Sequence, residues 1–197
     1  MRVEGSRLTS NGKESSMKNQ IVVGHIALIQ RPKRQDFVLE VLAELKKRGH
    51  EVIGLFAGEV RDEQFERELK EKVKAHGLEN SVAFLGRRND IPDFLNLLDV
   101  LMIPSVEGFP LAGLEAASAG TPVVACNVAG AEEFVEVSGD GMTFIEDDAV
   151  DAATCIEKIV SNRDEMVKIG RLFANNSSME SYAERLKRLF QEVGWVG

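Results

Sequence analysis

The chain is short of several residue types, and each shortage closes off a class of protein. Cysteine occurs only at positions 126 and 155 of 197 residues, too few and too far apart for a disulfide framework or a cysteine zinc site. Both read as small buried hydrophobes, which suits a reducing cytoplasm. No apolar run reaches the length that crosses a bilayer, and the start, Met1-Arg2-Val3-Glu4-Gly5-Ser6, lacks the apolar core of a signal peptide. The expected setting is the cytoplasm, including a peripheral place at the inner membrane face. Positive charge is also scarce: the net charge is −8. No overall field draws such a chain to nucleic acid, so no nucleic-acid partner is expected, and any bound phosphate must be held by local groups.

What is present is an ordinary globular balance, 44% hydrophobic and 28% charged, in a length that fits one domain. Residues 1–19 are polar and rich in Ser, Asn, Gly and Lys, and read as a tail or interdomain linker remnant. Residues 20–197 alternate β-rich runs with helical stretches. Strands are expected at Gln20–Gly24, Val52–Ala57, Val82–Leu85, Val100–Ile103, Val123–Ala125 and Met142–Ile145. Between them Phe37, Val38, Val41, Leu42 and Leu45 recur at helical spacing, as do Phe65, Leu69 and Val73; Gly49 and Gly77 stop those two helices. After the last strand the chain is helical, with Tyr182, Leu186, Leu189, Phe190 and Val193 forming an apolar stripe. Six strands, each followed by a helix, imply an α/β fold with a doubly wound parallel sheet. Such sheets bind ligands outside the carboxyl ends of their strands.

The loop that answers to this rule runs from Pro104 through Ser105, Val106, Glu107, Gly108, Phe109, Pro110, Leu111, Ala112 and Gly113 to Leu114 and Glu115. It leaves an apolar strand, turns at Gly108 and enters a helix with Pro110 at or near the first position, where a missing N–H costs little. The amides of Phe109, Leu111 and Ala112 then point out of the helix start and, with its dipole, offer an anion seat. Glu107 stands just outside that seat and Glu115 about one turn inside the helix. Carboxylates are poor phosphate ligands but good acceptors for sugar hydroxyls, so an anion seat between two of them suits a nucleoside diphosphate sugar. An acidic first turn that merely complements the dipole is the other reading of the spacing.

These residues, with their flanks, resemble the carboxyl-terminal half of the retaining glycosyltransferases of family 4, the group 1 glycosyltransferases. Seven residues separate Glu107 from Glu115, as in that family's glutamate pair. Leu98-Asp99-Val100, Ile103-Pro104-Ser105, Glu115-Ala116, Gly120-Thr121-Pro122-Val123-Val124, and Gly130 with Glu133 are similar to the surrounding runs. Val82-Ala83-Phe84-Leu85-Gly86 is similar to the segment that lines the nucleobase. The resemblance covers roughly residues 20 to 192 and implies a Rossmann-like domain, one half of a GT-B fold, that binds a nucleotide-sugar donor without a metal or other cofactor. It implies that Glu107 holds donor sugar hydroxyls and Glu115 the ribose hydroxyls. It further implies that amides at Gly108, Phe109, Pro110 and Leu111 face the sugar and diphosphate, although Pro110 itself has no N–H to give. Lys33 matches the lysine that stabilises the leaving diphosphate; a solvated basic helix start is the bland reading of its Arg31-Pro32-Lys33-Arg34 setting.

Several features depart from the family pattern. His25 stands where an Arg is usual; it is either a ligand or a satisfied strand-end histidine, with Arg31 or Arg34 as substitutes for the missing guanidinium. Arg34 replaces the common Gly after the lysine, so a different turn is expected. Arg87 and Arg88 either edge the base pocket or form a solvated face. His50 and His76 suit the negative ends of helices and receive no function. The family's amino-terminal domain, which carries the glycan or lipid-linked acceptor, has no counterpart in the chain, so that domain is expected as a partner in cis or in trans. The last helix, Met179–Glu192, resembles the one that crosses back to it. A non-catalytic nucleotide-sugar-binding or partner-docking module is the alternative function, and another nucleotide-sugar enzyme of similar architecture a third, disfavoured by the paired glutamates.

Overall fold

The apolar runs of the sequence become strands because each is covered on both faces. In the computed structural model, which describes residues 20–177 and 179–192, the six strands are β1 (Gln20–Ile26), β2 (Glu51–Ala57), β3 (Val82–Phe84), β4 (Val100–Ile103), β5 (Val123–Cys126) and β6 (Gly141–Phe144). All pairings are parallel, in the order β3-β2-β1-β4-β5-β6. Alternate residues of the central strands enter different cores, as the two-residue period of a strand requires. Val100, Met102, Val124 and Cys126 join one core, and Leu101, Ile103, Val123 and Ala125 join the other.

Among the described residues, eight α-helices cover the sheet or extend from it: α1 (Gln35–Lys47), α2 (Glu63–Ala75), α3 (Ile91–Asn96), α4 (Leu111–Ala119), α5 (Ala129–Ser138), α6 (Ala149–Ser161), α7 (Arg163–Asn176) and α8 (Met179–Glu192). The stripes of α1, α2 and α6 fill the first core, and those of α3, α4, α5 and α7 the second. Two starts carry side-chain caps: Asp62 accepts from the Phe65 amide at 2.9 Å, and Asp148 from the amides of Val150 and Asp151 at 3.0 and 2.9 Å. The strand expectations hold to within two residues at every end, the largest change being the extension of β1 to Ile26. The helical remainder is divided in three by turns near Asn162 and Ser177. Of the expected last stripe, Leu189 is half exposed; the Tyr182 side chain and Val193 lie outside the described residues, as does the polar stretch 1–19. No helix is long and apolar enough to cross a membrane among the described residues.

The neighbours in the sheet follow chain order except at one place. From β1 the chain builds outward through β2 to β3, then returns to lay β4 on the opposite side of β1. The connections after β1 and β4 therefore leave in opposite directions, and a crevice opens between them at the carboxyl ends of the strands.

One buried acid in this frame costs stability. Asp140, at the start of β6, is 1% exposed and accepts from Ser138 Oγ at 2.6 Å. Its other oxygen lies against Gly170 of α7 without a hydrogen-bond partner among the described residues. Burial pushes its pKa from the usual 3.8 up to about 6, with the Ser138 bond opposing. A raised carboxyl pKa means that the folded state binds the proton more tightly. Stability is therefore fullest below the unfolded value and falls as pH rises from about 4 through about 6, by about 3 kcal/mol. Asp140→Asn is expected to flatten that fall and to raise stability at pH 7.5 by about 1–2 kcal/mol, less than the full amount because its amide also lacks a partner. Denaturant unfolding of both proteins at pH 5 and pH 7.5 measures it; a variant less stable at both pH values would show that the buried charge is held favourably.

Candidate functional site

Three loops converge on the crevice. After β1 the chain forms a 3-10 turn at Arg31–Lys33, stabilised by Lys33 N to Gln30 O at 2.9 Å and Arg34 N to Arg31 O at 3.1 Å. Lys33 Nζ donates to Glu107 Oε1 at 2.7 Å, from the loop after β4. Ser105 Oγ, 2% exposed, donates to the same oxygen at 2.6 Å. The lysine and glutamate side chains are about one-quarter exposed, 28% and 23%, so the pair is screened less than a surface ion pair yet remains open to solvent. A carboxylate oxygen that already receives two donors has its orientation set, which leaves the second oxygen directed by the first.

The Glu107 loop is held from below by α5. Gly130 N donates to Glu107 O at 2.9 Å, and a Cβ at Gly130 would stand 1.6 Å from Gly108 O and 2.9 Å from Glu107 O. Only glycine permits that approach. Gly113, within the first turn of α4, allows a similar contact: a Cβ there would meet the Phe134 ring at 2.9 Å. The helix therefore lies close on α5, and its start is aimed at the crevice. Pro110 is the N-cap rather than the first helical residue, with an extended backbone at φ −79° and ψ 95°. Gly113 N bonds Pro110 O at 2.9 Å, whereas the amides of Leu111 and Ala112 have no carbonyl a turn earlier within the helix. Phe109 is half exposed at the mouth, its ring edge-on to Phe134 at 5.8 Å, and Leu111 is exposed beside it.

The basic residues of the first loop disperse. His25 is 3% exposed, its Nδ1 lies 2.9 Å from Met102 O, and its Nε2 is 3.3 Å from Gln35 Nε2. Burial holds its pKa down at about 4, against the opposing carbonyl bond, so the ring is neutral near pH 7. Both nitrogens of His25 are thus used inside the protein. Arg31 is no substitute: it turns to α2, where it donates to Glu68 at 2.7 Å and lies 5.2 Å over the Phe65 ring. Arg34 reaches across to Asp147 after β6 at 2.5 Å and stacks over Phe37. Its backbone is left-handed, φ 56° and ψ 37°, the conformation that glycine favours. A non-glycine residue in that conformation costs about 1–2 kcal/mol. Of the four candidates on this loop, Lys33 alone meets Glu107.

The base-side candidates lie across β2 and β3. A cavity of about 280 Å³ is lined by Ile26, Leu28, Ala57, Gly58, Arg87 and Arg88, among others. Leu85 and Gly86 stand at its edge by sequence, exposed, with Gly86 O accepting from Gly58 N at 2.9 Å. Arg87 is exposed, whereas Arg88 pairs with Asp90 and lies 5.8 Å over Phe94. Glu115 is exposed on the α4 face that meets α3, in a second cavity that also includes Ile91 and Pro92. Ile91 lines both cavities, so the Glu115 cavity adjoins the one beside Arg87. Ser105, Gln35 and Gly130 were not assigned roles from sequence. Family-like runs include Ser105 and Gly130 but not Gln35, and none of the three shows its role locally, because burial and reach depend on partners far along the chain.

Sheet order, crevice and the outward-facing start of α4 define a doubly wound, Rossmann-like α/β domain with a candidate ligand site at its switch point. The chain belongs to the glycosyl transferases group 1, whose family model matches residues 7–172. It is 41% identical over 95 residues to the lipopolysaccharide core biosynthesis mannosyltransferase LpsB of Rhizobium meliloti (strain 1021), covering 45% of this chain and 27% of that protein. It is 31% identical over 107 residues to the putative glycosyltransferase EpsF of Bacillus subtilis (strain 168), covering 54% and 27%. In structure it is similar to HepE of Anabaena in complex with UDP-glucose, with a TM-score of 0.73 and 26% identity over 86% of this chain and 49% of that one. The chain thus spans about half of that structure, and its aligned segments about a quarter of the curated relatives. The fold is that of one half of a GT-B glycosyltransferase.

The close approach of α5 generates a paired prediction. Gly130→Ala is expected to displace the Glu107–Gly108 loop and to cost about 1–3 kcal/mol, as overpacking does. Gly108→Ala, whose Cβ would meet nothing within 4 Å, should change stability by less than about 0.5 kcal/mol. Thermal and denaturant unfolding of the two variants side by side measures the difference; equal effects would remove Gly130 as the support of the loop.

Proposed function

We propose that this domain binds the donor of a retaining, metal-independent glycosyltransferase, which moves a sugar from a nucleoside diphosphate sugar to an acceptor hydroxyl in glycan or polysaccharide biosynthesis. The observation that carries the reading is the meeting of Lys33 with Glu107 in the crevice before the start of α4. The reading is supported by the binding of UDP-glucose to HepE and by the place of LpsB as a mannosyltransferase of lipopolysaccharide core biosynthesis. In it the diphosphate lies over the α4 start, where the Leu111 and Ala112 amides and Lys33 counter the charge that develops as the sugar departs. Glu107 takes sugar hydroxyls, steadied by Ser105. Glu115, on the base side, takes the ribose hydroxyls, and the cavity by Arg87 holds the base. The acceptor hydroxyl attacks from the face that the diphosphate leaves. A separate amino-terminal α/β domain, in cis or in trans, supplies the acceptor wall, and the whole works in the cytoplasm or at its membrane face.

Binding by the isolated chain tests the donor half of the reading. A nucleoside diphosphate should bind more tightly than the monophosphate with chelator present, and Lys33→Ala should weaken the diphosphate by about 1.5–3 kcal/mol, the scale of a hydrogen bond to a charge. Glu115→Gln should weaken every ribose-containing ligand, whereas Glu107→Gln should matter only when the sugar is attached. Calorimetry across UDP, GDP and ADP and their sugars reads all of these; equal loss on plain diphosphate from both glutamate changes would overturn the division of roles.

Transfer tests the other half. The chain alone should give no product, because one wall cannot hold two reactants in register, a gain of roughly 7–11 kcal/mol when both are positioned. Addition of a matching amino-terminal domain should restore transfer. Robust transfer by the chain alone would place the acceptor site within residues 20–192, and no transfer with the added domain would favour a binding module.

A further inference from the structure

His25 and Gln35 form a buried polar pair to which the proposed reaction gives no task. His25 sits at the carboxyl end of β1 and is 3% exposed; Gln35 is the first residue of α1 and is 0% exposed. The bonds between them have one consistent direction. Met102 O can only accept, so His25 Nδ1, 2.9 Å away, carries the hydrogen. His25 Nε2 is then an acceptor and faces Gln35 Nε2 at 3.3 Å, while Gln35 gives its other hydrogen to Leu28 O at 2.9 Å. A ring held neutral by burial fits this pattern. The chain of bonds runs from β4 through β1 to the start of α1 and back to Leu28, just after β1.

The bond from Gln35 to Leu28 closes the neck of segment 28–35, and Lys33 stands inside that segment. Its front is tied to the loop after β2, by Ile29 N to Glu59 O at 2.9 Å and by the amides of Arg61 and Asp62 to Ile29 O at 3.1 Å. Beyond Ile29, the amides of Lys33 and Arg34 bond within the turn, and Arg34 O accepts from the α1 amides of Phe37 and Val38 at 3.1 and 3.3 Å. The rear of the segment thus runs into α1 and is held outside by Arg31 to Glu68 and Arg34 to Asp147, while Gln35, the first residue of α1, ties it back to Leu28 from within. Gln35 Oε1 is buried and has no hydrogen-bond partner among the described residues. An apolar side chain would avoid that unmade bond, so the donors of the amide are what this position uses.

We propose that His25 and Gln35 are positioning residues for Lys33: β4 sets the ring through Met102, the ring sets the amide, and the amide sets the segment that carries the lysine. His25 itself offers no charge to a ligand, so of the candidate cations on this segment Lys33 alone serves the site. The ligand consequence rests on the donor-site reading above; the mechanical one does not.

Two measurements on the full chain separate these. Without ligand, Gln35→Leu should speed amide hydrogen exchange in residues 28–34 about tenfold while β1 and β4 exchange as in the parent. His25→Asn keeps a donor where Nδ1 stood but nothing where Nε2 stood, and should behave like Gln35→Leu. His25→Gln places an amide oxygen where Nε2 stood but no donor toward Met102, so its exchange should lie between the parent's and that of Gln35→Leu. Calorimetry adds a readout that a merely structural role would not move: the first two variants should lower the ratio of diphosphate to monophosphate affinity about tenfold, and His25→Gln should lower it less. Faster exchange throughout the sheet, unchanged exchange in all variants, or equal loss for both nucleotides would overturn the proposal. A parent that binds no nucleotide would count against the donor-site reading, while the exchange data still decide the role of the pair.

Discussion

The crevice between β1 and β4 exists because the chain reverses direction across the sheet after three strands. Both strands are apolar on both faces, so neither can sit at an edge, and each must bury one side under α1, α2 and α6 and the other under α3, α4, α5 and α7. With β1 fixed between β2 and β4, the segments that follow β1 and β4 must diverge to reach opposite layers. Lys33 and Glu107, 74 residues apart in sequence, meet across that divergence. Nothing local to either residue could bring them together.

Charge is arranged around this meeting in a chain of net negative charge. The cations near the crevice are mostly committed elsewhere: Arg31 to Glu68, Arg34 to Asp147, Arg88 to Asp90. Such pairs add little to stability where they are exposed, but they determine which cation remains directed into the crevice. The Arg34–Asp147 bond joins two left-handed residues, φ 56° and 61°, across the sheet, so two costly conformations are retained together at one rim. Backbone amides at the start of α4 complete the positive side, and they need no side chain that an opposing carboxylate could claim.

Much of the fold was legible because its signals are local or periodic. The β-rich runs gave the strands, the 3.6-residue recurrence of Phe37, Val41 and Leu45 gave α1, and Gly49 marked its end. The glutamate pair and the turn through Gly108 marked the loop that matters. The places where the reading stayed open are where a single residue type serves two physical ends. His25 could face solvent or carbonyl, and Met102, 77 residues away, decides. Arg34 could break a glycine turn or adopt it, and Asp147, 113 residues away, holds it there.

The sequence by itself determined the α/β class, the six strands and the family to which the chain belongs, because periodicity, turn chemistry and motif spacing all act over a few residues. Only the tertiary structure decided which basic residue faces Glu107, that Ser105 orients its carboxylate, that Gly130 must lack a side chain and that the histidine is neutral. Those outcomes depend on burial and on distances between groups far apart in the chain, and neither is defined until the layers have packed.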